Sequence, residues 1–439
     1  MSLRKKYEKN WGRLGMRSDW KYETIADVCE VVTDGSHYSP KSVQNGKYMV
    51  SVKDFTEYGF DFLGCRQISD KDYKDLERGG CVPEYNDILI GKDGARYFED
   101  IILYQQLEKP ALLSSIAILR CDENKIVPEF LYYLLKTPSV RKNVKDNYGS
   151  GSAIPRIVLK DFRRMPVCYP DIETQKKIVS VLKDIDEKIQ LNARINKNLE
   201  QQAKAVFKSW FEDFTPFDEP LIETPAGIYA PASLQMVQIV NIPHVLETGK
   251  RPKGGAVASG IPSIGAENVK QLGVVNFSSA KFIPEEFAAK MKTGAINGYE
   301  LLLYKDGGKP GTFIPHFSMF GEGFPYQKFF INEHVFKLDF GNKGFNEFAY
   351  FFMQTDYAYH WLANNGGKAA VPGINQQNVN DIWIFSPENS KVKEFGEWVQ
   401  PLFTTILKNC AQNVKLAELR DTILPKLMSG ELNISALDI

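Results

Sequence analysis

Between residues 178 and 210, apolar side chains recur in alternating steps of four and three: Ile178, Leu182, Ile185 and Ile189, then Leu199, Ala203, Val206 and Trp210. That spacing draws one seam along a helix and turns it toward a partner helix. At its centre the seam carries Asn192 and Asn196. Asp171 and Glu173 stand at its start, where the helix dipole favours acids, and Pro216 stands past its end. From 172 to 213 such a helix spans roughly 60 Å. A rod of that length with a single apolar seam is not stable alone in water, so the fold must supply a second helix.

The chain supplies one itself. An offset of 217 carries Ile178 onto Phe395, Leu182 onto Val399, Ile185 onto Leu402, Ile189 onto Ile406, and Asn192 and Asn196 onto Asn409 and Asn413. Beyond the asparagines Leu199 falls on Leu416, Val206 on Ile423 and Trp210 on Leu427. Upstream, "SAIPRIVLKDFRRMPV" (152–167) matches "AAVPGINQQNVNDIWI" (369–384), and "PEFLYYLLKT" (128–137) matches "NEFAYFFMQT" (346–355). "NDILIGKDG" (86–94) likewise matches "YELLLYKDG" (299–307), and "SVKDF" (51–55) falls near "GAENV" (265–269). The offset drifts by a few residues, as loop insertions require. A period this long means two duplicated domains, not a stack of short repeats.

Each copy therefore reads as a mixed α/β globule followed by a long helix. Short apolar runs ending in Gly or Asp turns, such as "DILIGKDG" and "SSIAILRC", predict strands, and "PEFLYYLLKTPSVRKNV" predicts one amphipathic helix starting after Pro128. The sequence leaves parallel and antiparallel strand pairing open. The second long helix is predicted over about 391–429, with a kink at Pro401 and its end set by Pro425 and Gly430. The fold class is α+β: two pseudo-repeated α/β globular domains separated by two long helices that form an antiparallel coiled coil and throw the globules to opposite ends. The boundaries are 1–170 for the first globule, 171–215 for the first spacer helix, 216–388 for the second globule, and 389–439 for the second spacer helix and tail. Asparagines on the seam reduce stability but fix register and orientation, which makes the symmetric pairing the allowed one. The alternative is that Leu191 and Ile195 turn inward and the asparagines face solvent.

Composition narrows the function classes. Formal net charge is zero, so attraction to nucleic acid or a membrane surface must be local. The six cysteines (Cys29, Cys65, Cys81, Cys121, Cys168 and Cys410) form no C-x-x-C pair and no zinc spacing with histidine, which fits reduced thiols in a core and no structural metal. There is no run of 18 apolar residues, and the opening "MSLRKKYEKNWGRLG" is polar and basic, so the expectation is a soluble cytoplasmic protein with no membrane association.

The segments "DIETQKKI", "IDEKI", "NKNLEQQAKAVFKSWF" and the closing "LRDTILPKLMSGEL" resemble the two conserved regions of type I restriction–modification specificity subunits. "GSGSAIPRI" and "DILIGKDG" resemble the ends of that family's target recognition domains, and the resemblance runs along nearly the whole chain. The second helix departs from it, with "NSKVKEFGEW" (389–398) where the first has "DIETQKKIVS". The resemblance implies two target recognition domains on an antiparallel coiled coil, each reading one half of a gapped, asymmetric site in double-stranded DNA. It further implies a subunit without catalysis or cofactor of its own. Such a subunit recruits two methyltransferase subunits and, through them, restriction/translocase subunits, so that the complex has DNA adenine methyltransferase and ATP-dependent endonuclease activity.

The residues agree on the absence of chemistry. No Asn/Asp-Pro-Pro-Tyr/Phe loop or glycine-rich cofactor turn is present, "NIPH" (241–244) being a poor match. "PEYNDILIGKD" offers Glu84, Asp87 and Lys92, but Ile90 stands where a nuclease would place its second acid. No phosphate-loop motif occurs, and His37, His244, His316, His334 and His360 suggest no triad. DNA contact must then come from loops. From 136 to 164, Lys136, Arg141, Lys142, Lys145, Arg156, Lys160, Arg163 and Arg164 outnumber Asp146 and Asp161. Candidate contacts in the first copy are Thr33, Asp34, Gly35, Ser36 and His37, then Gly149, Ser150, Gly151, Ser152, Arg156 and Lys160. Those in the second are Lys250, Arg251 and Lys253, then Lys309, Asn365, Lys368, Asn375 and Gln376. Flexible glycine loops let backbone N–H groups approach phosphate, while Arg, Asn and Gln read purine edges. Lys92 and Lys305 open two Lys-Asp-Gly turns that read first as strand ends and second as phosphate contacts. A protein-only scaffold built on the coiled coil is the rival class, and it needs no basic loop.

Overall fold

The computed structural model describes residues 19–149, 155–367, 371–432 and 434. The chain divides into two compact units, one made of Met1–Glu187 with Leu416–Ile439 and the other of Lys188–Lys415. Each unit thus takes part of both long helices along with its globule.

In the first unit the order is β1 (Lys21–Thr24), α1 (Ile25–Val28), β2 (Cys29–Asp34), β3 (Lys47–Val50), β4 (Arg66–Ile68), α2 (Asp70–Arg78), β5 (Ile88–Gly91), β6 (Ile101–Leu103), β7 (Ala111–Leu112), β8 (Ile116–Cys121), α3 (Pro128–Lys136), α4 (Pro138–Tyr148), α5 (Leu159–Arg164) and β9 (Pro166–Tyr169), followed by the long helix α6 (Ile172–Phe211). The main sheet is antiparallel, β2–β8–β5–β6; a smaller one, β4–β3–β7, pairs β3 and β7 in parallel; β1 pairs with β9. Strand β5 is apolar throughout and all four of its residues are buried, as expected of a strand covered on both faces. The predicted single helix over 128–144 is two. Thr137, extended at ψ 140°, separates them because the ring of Pro138 disfavours the helical conformation in the residue before it. The core gathers Phe130, Leu131, Phe162, Ile178 and Leu182 with Leu424 and Leu427.

The second unit holds β10 (Leu221–Glu223), β11 (Tyr229–Pro231), β12 (Met236–Gln238), β13 (Val245–Thr248), β14 (Ile261–Ile264), β15 (Lys281–Ile283), α7 (Glu285–Lys290), β16 (Leu301–Tyr304), β17 (Phe317–Ser318), β18 (Phe330–Ile331), β19 (Val335–Asp339), α8 (Lys343–Phe352), α9 (Asp356–Gly366), α10 (Gln376–Asn380) and β20 (Trp383–Phe385), then the long helix α11 (Ser390–Met428). Its main sheet runs β13–β19–β16–β17, its small sheet β15–β14–β18, and β12 pairs with β20. These orders are those of the first unit strand for strand, with β14 and β18 parallel as β3 and β7 are. The core is aromatic: Phe207, Phe211, Phe348, Phe351, Phe395 and Phe403 pack together. Helix α11 runs without a break through Pro401 and Pro425 to Met428, so Pro425 does not end it as the sequence suggested, while Gly430, at φ 73°, follows its last turn. A proline costs its own N–H bond, and buried Val399, Phe403, Leu424 and Leu427 hold the helix together on either side.

Within the second unit the asparagines of the two helices meet. Asn192 is 1% exposed while Leu191 is 43% exposed, so the seam turns the asparagine inward and the leucine out. Its Nδ2 donates to Gln412 Oε1 and to Asn413 Oδ1, both at 2.8 Å. Asn409 Nδ2 donates to Asn196 Oδ1 at 2.9 Å, and Asn196 Nδ2 to the Ile406 carbonyl at 3.2 Å. Partner numbers fall as helix numbers rise, so the segments run antiparallel. In the first unit the helices exchange an ion pair instead: Arg420 Nη1 lies 2.7 Å from Asp186 Oδ1, and Tyr133 donates to Asp186 Oδ2 at 2.8 Å.

Candidate nucleic-acid interface

Strand β2 delivers the first candidate loop. After Asp34 the chain turns across β7 and β8: Gly35 N donates to Ile116 O at 3.0 Å and Ser36 N to Leu112 O at 2.8 Å. A Cβ on Gly35 would stand 2.3 Å from the Leu112 carbonyl oxygen, so the close approach requires glycine. Lys92 follows β5 into the same region. Its Nζ lies 3.3 Å from Asp34 and 3.6 Å from Asp93, and His37 Nε2 lies 3.4 Å from Asp34. The turn then captures the third loop, Gly94 N donating to Pro155 O and Ile157 N to Lys92 O. Thr33, Asp34, Gly35, Ser36, His37, Lys92 and Arg156 are thereby brought together, with His37 and Arg156 exposed.

Lys92 is a correction. It is only 7% exposed and its charge is spent on two aspartates, so it braces the loops and does not reach outward. The basic run 136–164 is also not one surface. Lys136 is packed on Tyr132, and burial, with Arg420 adding to it, lowers its ammonium to about 8. Arg141 is bonded to the Glu99 carbonyl and Lys145 to the Glu99 carboxylate. Arg163 donates to the Val32 carbonyl, and Arg164 pairs with Asp161 and covers the Tyr148 ring. Lys142, Arg156 and Lys160 are exposed. Gly149 ends α4, and Ser150, Gly151 and Ser152 lie outside the described residues.

The second unit repeats the backbone and changes the side chains. Gly249 N donates to Asn332 O, and a Cβ there would stand 1.6 Å from the Ile331 carbonyl oxygen. Gly307 N donates to Pro372 O at 2.9 Å and Ile374 N to Lys305 O at 2.8 Å, matching 94 with 155 and 157 with 92 in the first unit. At the position of Asp34 stands Thr248. Lys305 turns instead to Asp306 at 2.9 Å and to the Glu333 carbonyl at 3.0 Å. His334 bridges Asp306 through Nδ1 and Glu333 through Nε2, and Arg251 lies 3.7 Å from Glu333. Lys250, Arg251, Lys253 and Lys309 are exposed. Two candidates have work within the fold. Asn375 caps α10, accepting from Asn378 N, and Gln376 Nε2 donates to the Leu246 carbonyl at 2.8 Å. Asn365 donates to the Trp361 carbonyl on its own helix. Lys368 lies outside the described residues.

Sequence reasoning missed Glu333 and His334. They occupy the loop between β18 and β19, whose counterpart in the first unit is Ser114 and Ser115, since Lys92 N donates to Ser115 O as Lys305 N does to His334 O. The available signal was a glutamate and a histidine replacing two serines, and it emerges only when the repeat is aligned through this loop. Among the described residues no group of three or more His, Cys, Asp or Glu could hold a metal ion, and no helix is long and apolar enough to cross a membrane.

The family model for the type I restriction modification DNA specificity domain matches residues 17–201. The chain is 26% identical over 430 residues to the type I restriction enzyme MjaIX specificity subunit of Methanocaldococcus jannaschii, covering 95% of each chain. It is 23% identical over 488 residues to the HindI specificity subunit of Haemophilus influenzae, covering 94% of this chain and 100% of that one. Along nearly its whole length the chain is similar to type I restriction enzyme specificity subunits. The S subunit from M. genitalium has a similar fold, with a TM-score of 0.55 at 15% identity over 94% of this chain and 96% of that one. In this chain the loops joined at the Lys-Asp-Gly turns keep the same backbone hydrogen bonds in two units of like topology and carry different side chains.

Proposed function

We propose that each unit reads one half of a bipartite, gapped site in double-stranded DNA. On this reading the chain is a duplicated reader, its long helices pair as an antiparallel coiled coil, and the helices recruit two methyltransferase subunits and, through them, the restriction/translocase subunits. The chain itself transfers no methyl group and cuts no strand, and it works in the cytoplasm. One observation carries the reading: the same backbone lattice, Lys-Asp-Gly turn against Pro-containing loop, presents Arg156, His37 and Asp34 in one unit and Gly373, Arg251 and Thr248 in the other. A constant frame bearing different side chains is what reading two different half-sites requires.

The test is competition binding of the assembled methyltransferase against variants of each half-site. Arg156→Ala is expected to relax discrimination in one half only and Gln376→Ala in the other, each by about 1–3 kcal/mol if the side chain reads a base edge. Gln376 can do so only by exchanging its bond to the Leu246 carbonyl for one to a base. Loss of discrimination in the same half by both variants would overturn the two-reader arrangement, and unchanged salt-independent behaviour would favour the scaffold.

A further inference from the structure

The small sheets carry a basic residue at one equivalent position. In the first unit Met49 of β3 pairs with Ala111 on one side and Arg66 on the other; in the second, Ser263 of β14 pairs with Phe330 and Lys281. Arg66 and Lys281 therefore share a register position on the outer strand, and each lies against the loop that follows the first strand of its main sheet. Arg66 Nη1 donates to Ser39 Oγ at 2.7 Å and Nη2 bonds the Pro40 carbonyl, while its Nε is buried without a partner. Lys281 lines a cleft of about 70 Å³ together with Lys250, Arg251, Asn332, Glu333 and His334.

We propose that this cleft takes the non-bridging oxygens of one DNA backbone phosphate, with Lys281 as the contacting cation and Lys250 and Arg251 flanking it. The inference rests on the DNA-reading proposal above and adds to it a site on the second sheet. The cleft has room for phosphate oxygens and none for a base. The one carboxylate in its wall, Glu333, meets Arg251 and His334 through Oε1 alone, its Oε2 being buried without a hydrogen-bond partner, and Lys281 and Lys250 are the cations left to meet an anion. Lys281 is half-exposed and 3.0 Å from Glu267. Surface pairs of this kind are weak, so the ammonium can leave Glu267 for a phosphate. In the first unit the guanidinium at the same position is tied to Ser39 and Pro40, so Arg66 shapes its loop where Lys281 contacts DNA.

The experiment measures duplex-DNA affinity of the full chain against salt concentration. One phosphate contact contributes about 0.9 to the slope of log affinity against log salt. Lys281→Gln is expected to lower affinity for specific and unrelated duplexes alike and to reduce the slope by about one, with Lys281→Arg retaining it. Glu267→Gln, which frees the lysine, is expected to raise affinity. A wild-type slope in Lys281→Gln, with that protein melting as the wild type does, overturns the phosphate site and leaves the reading of half-sites standing. A wild-type chain showing no salt-dependent affinity for any duplex overturns both.

Discussion

Glu347 shows what one residue of α8 implies that its sequence neighbours do not. It is 0% exposed, and neither carboxylate oxygen has a hydrogen-bond partner, whereas Glu129, its counterpart in the repeat, is partly exposed. Burial raises its carboxyl from 4.5 to about 8, against the opposing pull of its own backbone N–H and of Lys343. Between those values the native state holds a proton that the unfolded chain has released, so stability is fully present below 4.5 and declines as pH rises toward 8. The slope from this group is about 1.4 kcal/mol per pH unit. Glu347→Gln is expected to flatten it and to raise unfolding free energy by a few kcal/mol near pH 8; denaturant titrations of both proteins from pH 5 to 8 check this. A parallel pair of curves would mean that the carboxyl is ionised in the fold. The candidate loops were legible at this scale because Gly, Lys-Asp-Gly and Pro mark turns. The burial of Lys92 was not, since nothing adjacent in sequence announces that Asp34 will stand beside it.

The helices are where heptad spacing was most informative and still incomplete. It located the seam and the asparagines, but Asp186, Phe207 and Phe211 are also buried, because each helix packs on its globule as well as on the other helix. Position 186 matches Phe403 in the repeat and position 420 matches Ala203, so an ion pair in one unit is replaced by an aromatic contact in the other. Arg420→Ala leaves Asp186 buried with only tyrosine hydroxyls, and a loss of about 3–5 kcal/mol in unfolding free energy is expected. A change under 1 kcal/mol in denaturant unfolding would show the carboxylate to be adequately solvated without it. For the asparagines, replacing Asn192, Asn196, Asn409 and Asn413 together by Leu is expected to raise the melting temperature while admitting wrong registers or oligomers. Asn192 Oδ1 is buried without a partner, so the substitution also removes an unsatisfied acceptor. Size-exclusion chromatography with light scattering reads the outcome; one monodisperse species of lower melting temperature would deny the asparagines a role in register.

For the whole molecule, the pure chain given S-adenosylmethionine, ATP and magnesium is expected to show neither methyl transfer nor strand cleavage. Turnover that co-purifies with the chain through successive columns would contradict this. The sequence by itself determined the duplication, the two long helices and the turn-forming loops. Each of these is written in local spacing: a seven-residue period, a 217-residue offset, or a glycine or proline where the backbone must turn. Strand pairing, the burial of Lys92 against the exposure of Lys281, and the uninterrupted course of α11 through Pro401 were decided by tertiary structure. Those outcomes depend on which distant backbone lies within a few ångströms, such as Leu112 beside Gly35, Asp34 beside Lys92 or Ser263 beside Lys281. Charge and burial are set by such neighbours, and the order of residues along the chain does not encode them one position at a time.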